Sequence, residues 1–335
     1  RPQSSTRGSP RHFTKGTTMD QSALSSRAIL GMYYARLETP TIGGWIDGVS
    51  NLFGSDQGSE TYVDLGQVPR MREWIGSRQA KGLRVNQFTV RNRHYEATLE
   101  LMLKDMRRDK TAQIRARLDE FAAEGDAHWG TLLSTLLING PSTVCYDGQF
   151  YFDTDHAEGD SGTQSNDISV DISALPASVH GAGATAPSNE EMQQAIVAGI
   201  AQILSFKDDQ GRPMNSNARR FLVTPPPSLW MAAVAAVSPL TTAAMIQNIN
   251  PNVLANTRVD VEMLPELTWT DSFAIWRTDS PIRGLIRQEE AAPVIKMKDE
   301  NSEFAFDNDA IQVGIDAWRG ADYGLWQRAC YVTMV

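Results

Sequence analysis

The stretch "VPRMREWIGSRQAKGLRVNQFTVRNRHYEATLEL", residues 68–101, has a pattern that a lone globular monomer has little use for. In "RVNQFTVRN", Val85, Gln87, Thr89 and Arg91 fall on one face, and Asn86, Phe88, Val90 and Asn92 on the other. Neither face is apolar throughout, so the strand pair over 62–103 is expected to project as a hairpin, with water or a partner on both sides. Charge is dense here: Arg70, Arg72, Glu73, Arg78, Lys81, Arg84, Arg91 and Arg93 surround the apolar Trp74 and Ile75.

Towards the C-terminus the period changes. Ile114, Leu118, Phe121, Leu132, Leu133, Leu136 and Leu137 recur at three- and four-residue steps, which predicts one long amphipathic helix between Asp109 and Asn139. Gly125 and Gly130 each weaken it by about 1 kcal/mol relative to alanine and predict a bend near its middle. Asn139, Gly140 and Pro141 stop it. Residues 157–187 are rich in Gly, Ser, Ala, Thr and Asp and read as a surface loop or linker. Ser188 and Glu191 then form a capping-box pattern ahead of the stripe Met192, Ile196, Ile200 and Ile203. "RRFLVTPPPSLWMAAVAAV" reads as a strand, a corner at Pro225 to Pro227 and a helix capped by Ser228, so a compact α/β layer is expected. The remainder, "SFAIWR", "RGLIRQ", "PVIKMK" and Phe304 to Val335, is mostly strand and predicts an antiparallel sheet.

Towards the N-terminus, "SALSSRAILGMYYARLETP" reads as a short helix ended by Pro40, and "TIGGWIDGVSNLFGSDQGSE" as a flexible glycine-rich connection. Ahead of Met19 lies a basic arm with Arg1, Arg7, Arg11 and Lys15 and no acid, although the net charge of the 335 residues is −9. The acidic body argues against a duplex-reading protein, whose affinity rests on clustered Lys and Arg. No run of about 18 apolar residues offers a membrane span. Two cysteines make no disulfide framework, and the N-terminus lacks the apolar core of a secretory signal, so a reducing compartment is expected.

The densest chemistry sits in "VCYDGQFYFDTDH", residues 144–156. Asp153, Asp155 and His156 are ligand types for a divalent metal, yet their spacing matches neither a His pair one helical turn apart nor a calcium loop. A two-residue hairpin turn at Asp147 and Gly148, both at positive φ, between strands "STVCY" and "FYFD", is the stronger reading. Cys145 has no basic neighbour and reads as a core thiol. His156 reads as a polar cap or an intersubunit contact, and His94 and His128 partner no nucleophile. Serine elbow, phosphate loop and dinucleotide fingerprint are all missing, so no catalytic, cofactor or metal residue is assigned. Trp318, Tyr323, Trp326 and Tyr331 read as core aromatics.

Taken together, residues 68–101, 144–156 and "GIDAWRGADYGLWQRACYV" at 314–332 resemble the major head subunit of Mu-like phages, where stretches of these types occur in this order. The similarity runs from about residue 25 to the end, and Trp318 stands where a small or basic residue would be expected. It implies an α+β Hong Kong 97-type capsid fold. The expected parts are an N-terminal arm and connection (1–61), an extended hairpin loop (62–103), a peripheral domain with a long spine helix (104–187), an axial α/β domain (188–290), and C-terminal strands returning to the peripheral domain (291–335). The implied function is a major capsid protein whose pentamers and hexamers close an icosahedral shell around double-stranded DNA, bound non-specifically. The implied location is the virion, reached from the host cytoplasm, with no membrane. Implied partners are a scaffolding protein, a head maturation protease that trims the N-terminus, a portal and a decoration protein; no cofactor is implied. The hairpin charges Arg70, Arg72, Glu73, Arg78, Lys81, Arg84, Arg91 and Arg93 would meet acidic patches on neighbouring subunits, with Trp74 and Ile75 as anchors. Two rival readings are a metal-dependent hydrolase using Asp153, Asp155 and His156, and a nucleic-acid-binding module using the basic arm.

Overall fold

A computed structural model describes residues 44–65, 85–108, 113–237 and 257–335. The expected arm, the helix before Pro40, the hairpin tip with Arg70 to Arg84, and residues 109–112 lie outside them.

The chain opens with a short helix α1 (Trp45–Val49) that runs into β1 (Ser50–Gly54). The glycine-rich stretch was expected to be a flexible connection; instead it is built into the core. Ile46 and Val49, one helical turn apart, are buried, and β1 pairs in parallel with a strand more than two hundred residues away, Ser50 opposite Leu285. Gly48 packs closely on a distant segment: a Cβ there would lie 3.3 Å from the Thr278 methyl, a tight contact.

β2 (Ser59–Leu65) and β3 (Val85–Arg91) form a separate antiparallel two-stranded ladder, Ser59 opposite Arg91 and Leu65 opposite Val85. After Asn92 the chain leaves this ladder. β4 (Arg93–Met102) joins a four-stranded sheet ordered β1-β11-β12-β4. Its long members are β11 (Leu285–Lys298) and β12 (Ala310–Tyr323), paired antiparallel and joined by α6 (Glu303–Asn308). "RGLIRQ" and "PVIKMK" are thus one strand. Its register shifts between Ala291 and Val294, where Pro293 removes a ladder donor.

Between β4 and the long strands stand α2 (Leu103–Arg108) and α3 (Gln113–Asn139). α3 is helical through Gly125 and Gly130 and, at 1.5 Å per residue, about 40 Å long. It serves more than one core. Leu118 packs with Leu103, Met106, Ile311 and Val313, whereas Trp129, Leu133 and Leu137 belong to the large core of the second sheet.

That second sheet has the order β7-β13-β10-β8-β9, made by β7 (Asp167–Val170), β8 (Arg220–Thr224), β9 (Arg258–Val261), β10 (Ser272–Arg277) and β13 (Ala329–Met334). The C-terminal strands therefore do not make one antiparallel sheet: β11 and β12 enter one sheet, β10 and β13 the other. β8 and β9 are parallel, with α5 (Trp230–Val237) between them in sequence. α4 (Asn189–Ser205) covers this sheet and starts with the expected capping box, the Ser188 hydroxyl on the Glu191 N–H and the Glu191 carboxylate on the Ser188 N–H. Its stripe Met192, Ile196, Ile200 and Ile203 is fully inward.

Residues 157–187, expected to be a plain loop, supply β7 and the small ladder of β5 (His156–Ala157) with β6 (Thr163–Gln164). A few apolar side chains suffice: Val170 and Ile172 are buried, while Asp171 between them is exposed and accepts the Ser173 N–H.

Candidate functional site

The 144–156 stretch is a turn, though not the one expected. The Gly148 N–H donates to the Cys145 carbonyl at 3.2 Å and the Cys145 N–H to the Gln149 carbonyl at 2.7 Å. The loop therefore has three residues and is closed by Gly148 at φ 89°, while Asp147 keeps a negative φ. The flanking strands shrink to a single bridge, Val144 to Phe150, because Tyr151 and Phe152 turn inward. Tyr151 stacks on Tyr323 at 4.6 Å and donates its hydroxyl to the Gly284 carbonyl at 2.9 Å.

This turn folds Asp147 back over His156. The buried His156 ring meets Asp147 Oδ2 with Nδ1 at 2.6 Å and Asn166 Oδ1 with Nε2 at 3.2 Å. The Cys145 thiol donates to Asp147 Oδ1 at 3.0 Å. Burial raises the Asp147 carboxyl, but hydrogen bonds from His156 and Cys145 outweigh it and hold the group below its ordinary range. The thiol goes the other way: burial and the neighbouring carboxylate push Cys145 far up, so it is no nucleophile. Asp153 and Asp155 do not join this group. Asp153 accepts the N–H groups of Phe150 at 3.1 Å and Thr154 at 2.7 Å, and Asp155 is exposed. The Asp153, Asp155 and His156 constellation of the hydrolase reading is therefore not assembled.

Across the core, the turn meets the C-terminal segment. His156 stacks on Trp326 at 4.1 Å, Tyr146 bonds Gln327 at 3.2 Å, and Asn166 donates to the carbonyls of Tyr151 at 2.8 Å and Trp326 at 3.4 Å. Two of the three segments that carry the family resemblance are thus one joint in the tertiary structure. Asn166 is central to it and went unnoticed in the sequence, where a lone Asn in a Ser/Asp-rich run carries no signal.

A second joint holds the long helix. Trp129 of α3 lies under the guanidinium of Arg319 at 4.6 Å and faces that of Arg287 at 5.6 Å. Arg319 donates to the Gly125 carbonyl at 3.0 Å and to Glu289 at 3.3 Å, and Arg287 pairs with Asp47. Both buried cations therefore have carboxylate partners, as burial of charge requires. Beside it, His128 packs edge-on to Tyr95 at 4.4 Å and is lowered by burial and by Arg319.

What remains outside is apolar surface without cover from the chain's described residues. Phe306 of α6 is 90% exposed and Met231 of α5 70%, with Trp230 and Val234 beside it. Trp318, expected to be core, is 41% exposed and stacks on His94 at 4.7 Å, whereas Tyr323 and Trp326 are buried as expected. Register explains it: Ala317 and Arg319 face α3, so Trp318 points from the other face of β12. Of the hairpin residues, Arg91 and Arg93 are described and both are exposed at the ladder's root; Arg70, Arg72, Glu73, Trp74, Ile75, Arg78, Lys81 and Arg84 lie outside the described residues, as do Arg1, Arg7, Arg11 and Lys15.

Residues 43–175 match the sequence model of the family described as Mu-like prophage major head subunit gpT. The Mu-like prophage FluMu major head subunit of Haemophilus influenzae is 30% identical over 122 residues, 36% of this chain and 40% of that protein. The major capsid protein of Escherichia phage Mu is 27% identical over 108 residues, 32% of this chain and 35% of that protein. The matched stretches span less than half of either relative. Among solved structures, the procapsid of bacteriophage JBD30 aligns over 91% of this chain and 72% of its own with a TM-score of 0.53 at 20% identity. The capsid of cyanophage P-SCSP1u aligns over 85% and 86% with a TM-score of 0.51 at 8% identity. The fold is the mixed α and β fold of phage capsid proteins, of Hong Kong 97 type.

Proposed function

We propose that this chain is the major capsid subunit of a tailed double-stranded DNA phage or prophage, assembling through heterologous contacts into pentamers and hexamers that close an icosahedral shell. The observation that carries the reading is joint: a head-subunit sequence match over 43–175 lies within a capsid fold shared over nine-tenths of the chain. The structure is in keeping with it. A two-stranded ladder leaves the body at β2 and β3 with exposed Arg91 and Arg93 at its root, and apolar side chains on α5 and α6 lack intramolecular partners among the described residues.

In this reading the protein's work is geometric, and it is not an enzyme. The hairpin charges from Arg70 to Arg93 dock on acidic patches of neighbours around Trp74 and Ile75, and the surface apolar residues are covered by other subunits or shell components. Scaffold, maturation protease, portal and decoration protein are its partners, packaged DNA is held non-specifically, and the mature site is the virion. No helix among the described residues is long and apolar enough to cross a membrane. The test is co-expression with its scaffold and protease followed by electron microscopy of the concentrated product. Closed shells are expected; monomers alone would overturn the proposal.

A further inference from the structure

We propose that Cys145, Asp147 and His156 form a binding site for one zinc-class divalent cation, which staples the 144–149 turn to the buried His156 and Asn166. The side-chain donors offer one sulfur, one oxygen and one nitrogen, all within 4.8 Å of one another. That mixed set suits a borderline-soft cation such as Zn²⁺ better than the hard cations Ca²⁺ and Mg²⁺, which take oxygen throughout.

The surroundings are those of a ligand histidine. Ligating imidazoles donate their second N–H to an outer acceptor that fixes ring orientation. Here Nε2 faces Asn166 Oδ1, and that amide is locked by its bonds to the Tyr151 and Trp326 carbonyls and by the Asp153 N–H at 2.9 Å. The parallel Trp326 ring fixes the plane. Nδ1 is thereby aimed at the turn, where Cys145 and Asp147 lie beside the exposed Gly148.

Charge balances as well. With Nε2 donating to Asn166 Oδ1, one proton is shared in the Nδ1···Asp147 Oδ2 contact and another sits on the thiol facing Asp147 Oδ1. Entry of a divalent cation displaces these two protons to solvent, leaving thiolate, carboxylate and Nε2–H imidazole around it, and two protons exchanged for a 2+ ion leave the net charge of the site unchanged. A coordinated thiol is deprotonated outright, so the high pKa that makes Cys145 inert in the free chain is no barrier to ligation. Tetrahedral bonds of 2.0 to 2.3 Å need donors about 3.3 to 3.7 Å apart, so Asp147 must retreat from its 2.6 and 3.0 Å contacts, and donors spread over as much as 4.8 Å must draw together, each by about 1 Å. The fourth position is left to water.

The experiment is Co²⁺ titration of the purified full chain followed by near-ultraviolet and visible absorption, with elemental analysis of the Zn²⁺-loaded, dialysed protein. One zinc per chain and a thiolate-to-cobalt charge-transfer band are expected, with the band lost in Cys145→Ser, which keeps a hydroxyl donor to Asp147 and the fold. Asp147→Asn should weaken binding at least tenfold. Absence of a band in the parent chain, or an undiminished band in Cys145→Ser, would overturn the proposal.

Discussion

His156 and Trp326 lie with their rings parallel, 9° apart in plane and 4.1 Å between centroids, and both are fully buried. The contact closes the 144–156 turn onto the C-terminal segment, with Phe206 edge-on to the same indole at 5.2 Å. Trp326→Ala removes the largest side chain of this joint and should destabilise the chain by about 3–5 kcal/mol. Urea unfolding followed by far-ultraviolet circular dichroism measures it; a cost below about 1 kcal/mol would mean the joint does not hold the turn.

Gly320 of β12 tests how the ladder root is seated. A Cβ there would lie 2.5 Å from the Arg91 carbonyl oxygen and 3.1 Å from Val90, and backbone cannot swing aside as a side-chain tip does. Alanine in a strand interior gains about 0.5–1 kcal/mol over glycine, while overpacking costs about 1–3 kcal/mol. Gly320→Ala should therefore destabilise, and should raise hydrogen exchange at β3 before β8. A variant as stable as the parent would show that the root is loosely seated.

Asp279 gives a pH dependence with a definite sign. Burial raises its carboxyl, but Arg277 Nε at 2.6 Å and the Arg219 N–H at 2.7 Å lower it by more, and the folded group titrates below its ordinary value. A depressed folded pKa gives stability that is complete above the unfolded value, about 3.9, and that disappears as pH falls through the folded value. The stability gap between the parent and Asp279→Asn should thus be widest near neutrality and narrow below about pH 4. Equilibrium unfolding at a series of pH values checks it, and a gap independent of pH would count against this pairing.

Phe306 separates assembly from folding. At 90% exposure it contributes little to the free chain's core, so Phe306→Asp should shift subunit stability by less than about 0.5 kcal/mol. If α6 is covered in the shell, the same change should sharply lower shell yield in negative-stain micrographs and sedimentation profiles. Normal yield would place Phe306 on a free surface.

Local patterns announced much of this molecule. The capping box at Ser188 and Glu191, the stripe through Ile203 and the long helix to Asn139 all depend on residues within a turn or two of one another, so their chemistry is written in neighbouring letters. The turn at Gly148 was legible for the same reason, but its type was not, since two- and three-residue loops share the Asp-Gly pair. "TIGGWIDGVSNLFG" misled because its glycines suggest freedom, whereas Ile46 and Val49 are buried and Ser50 pairs with the distant Leu285.

The sequence by itself determined the long helix to Asn139, the capped helix after Ser188 and a turn at Gly148, and the order of three linked stretches marked a head-subunit resemblance. Only the tertiary structure decided that Asp147, His156, Asn166 and Trp326 meet, that β11 and β12 leave the sheet of β10 and β13, and that Trp318 faces outward. Periodicity tells a side chain which side of its own element it is on. Which partner waits on that side is set by long-range register, and in a strand a shift of one residue exchanges the faces.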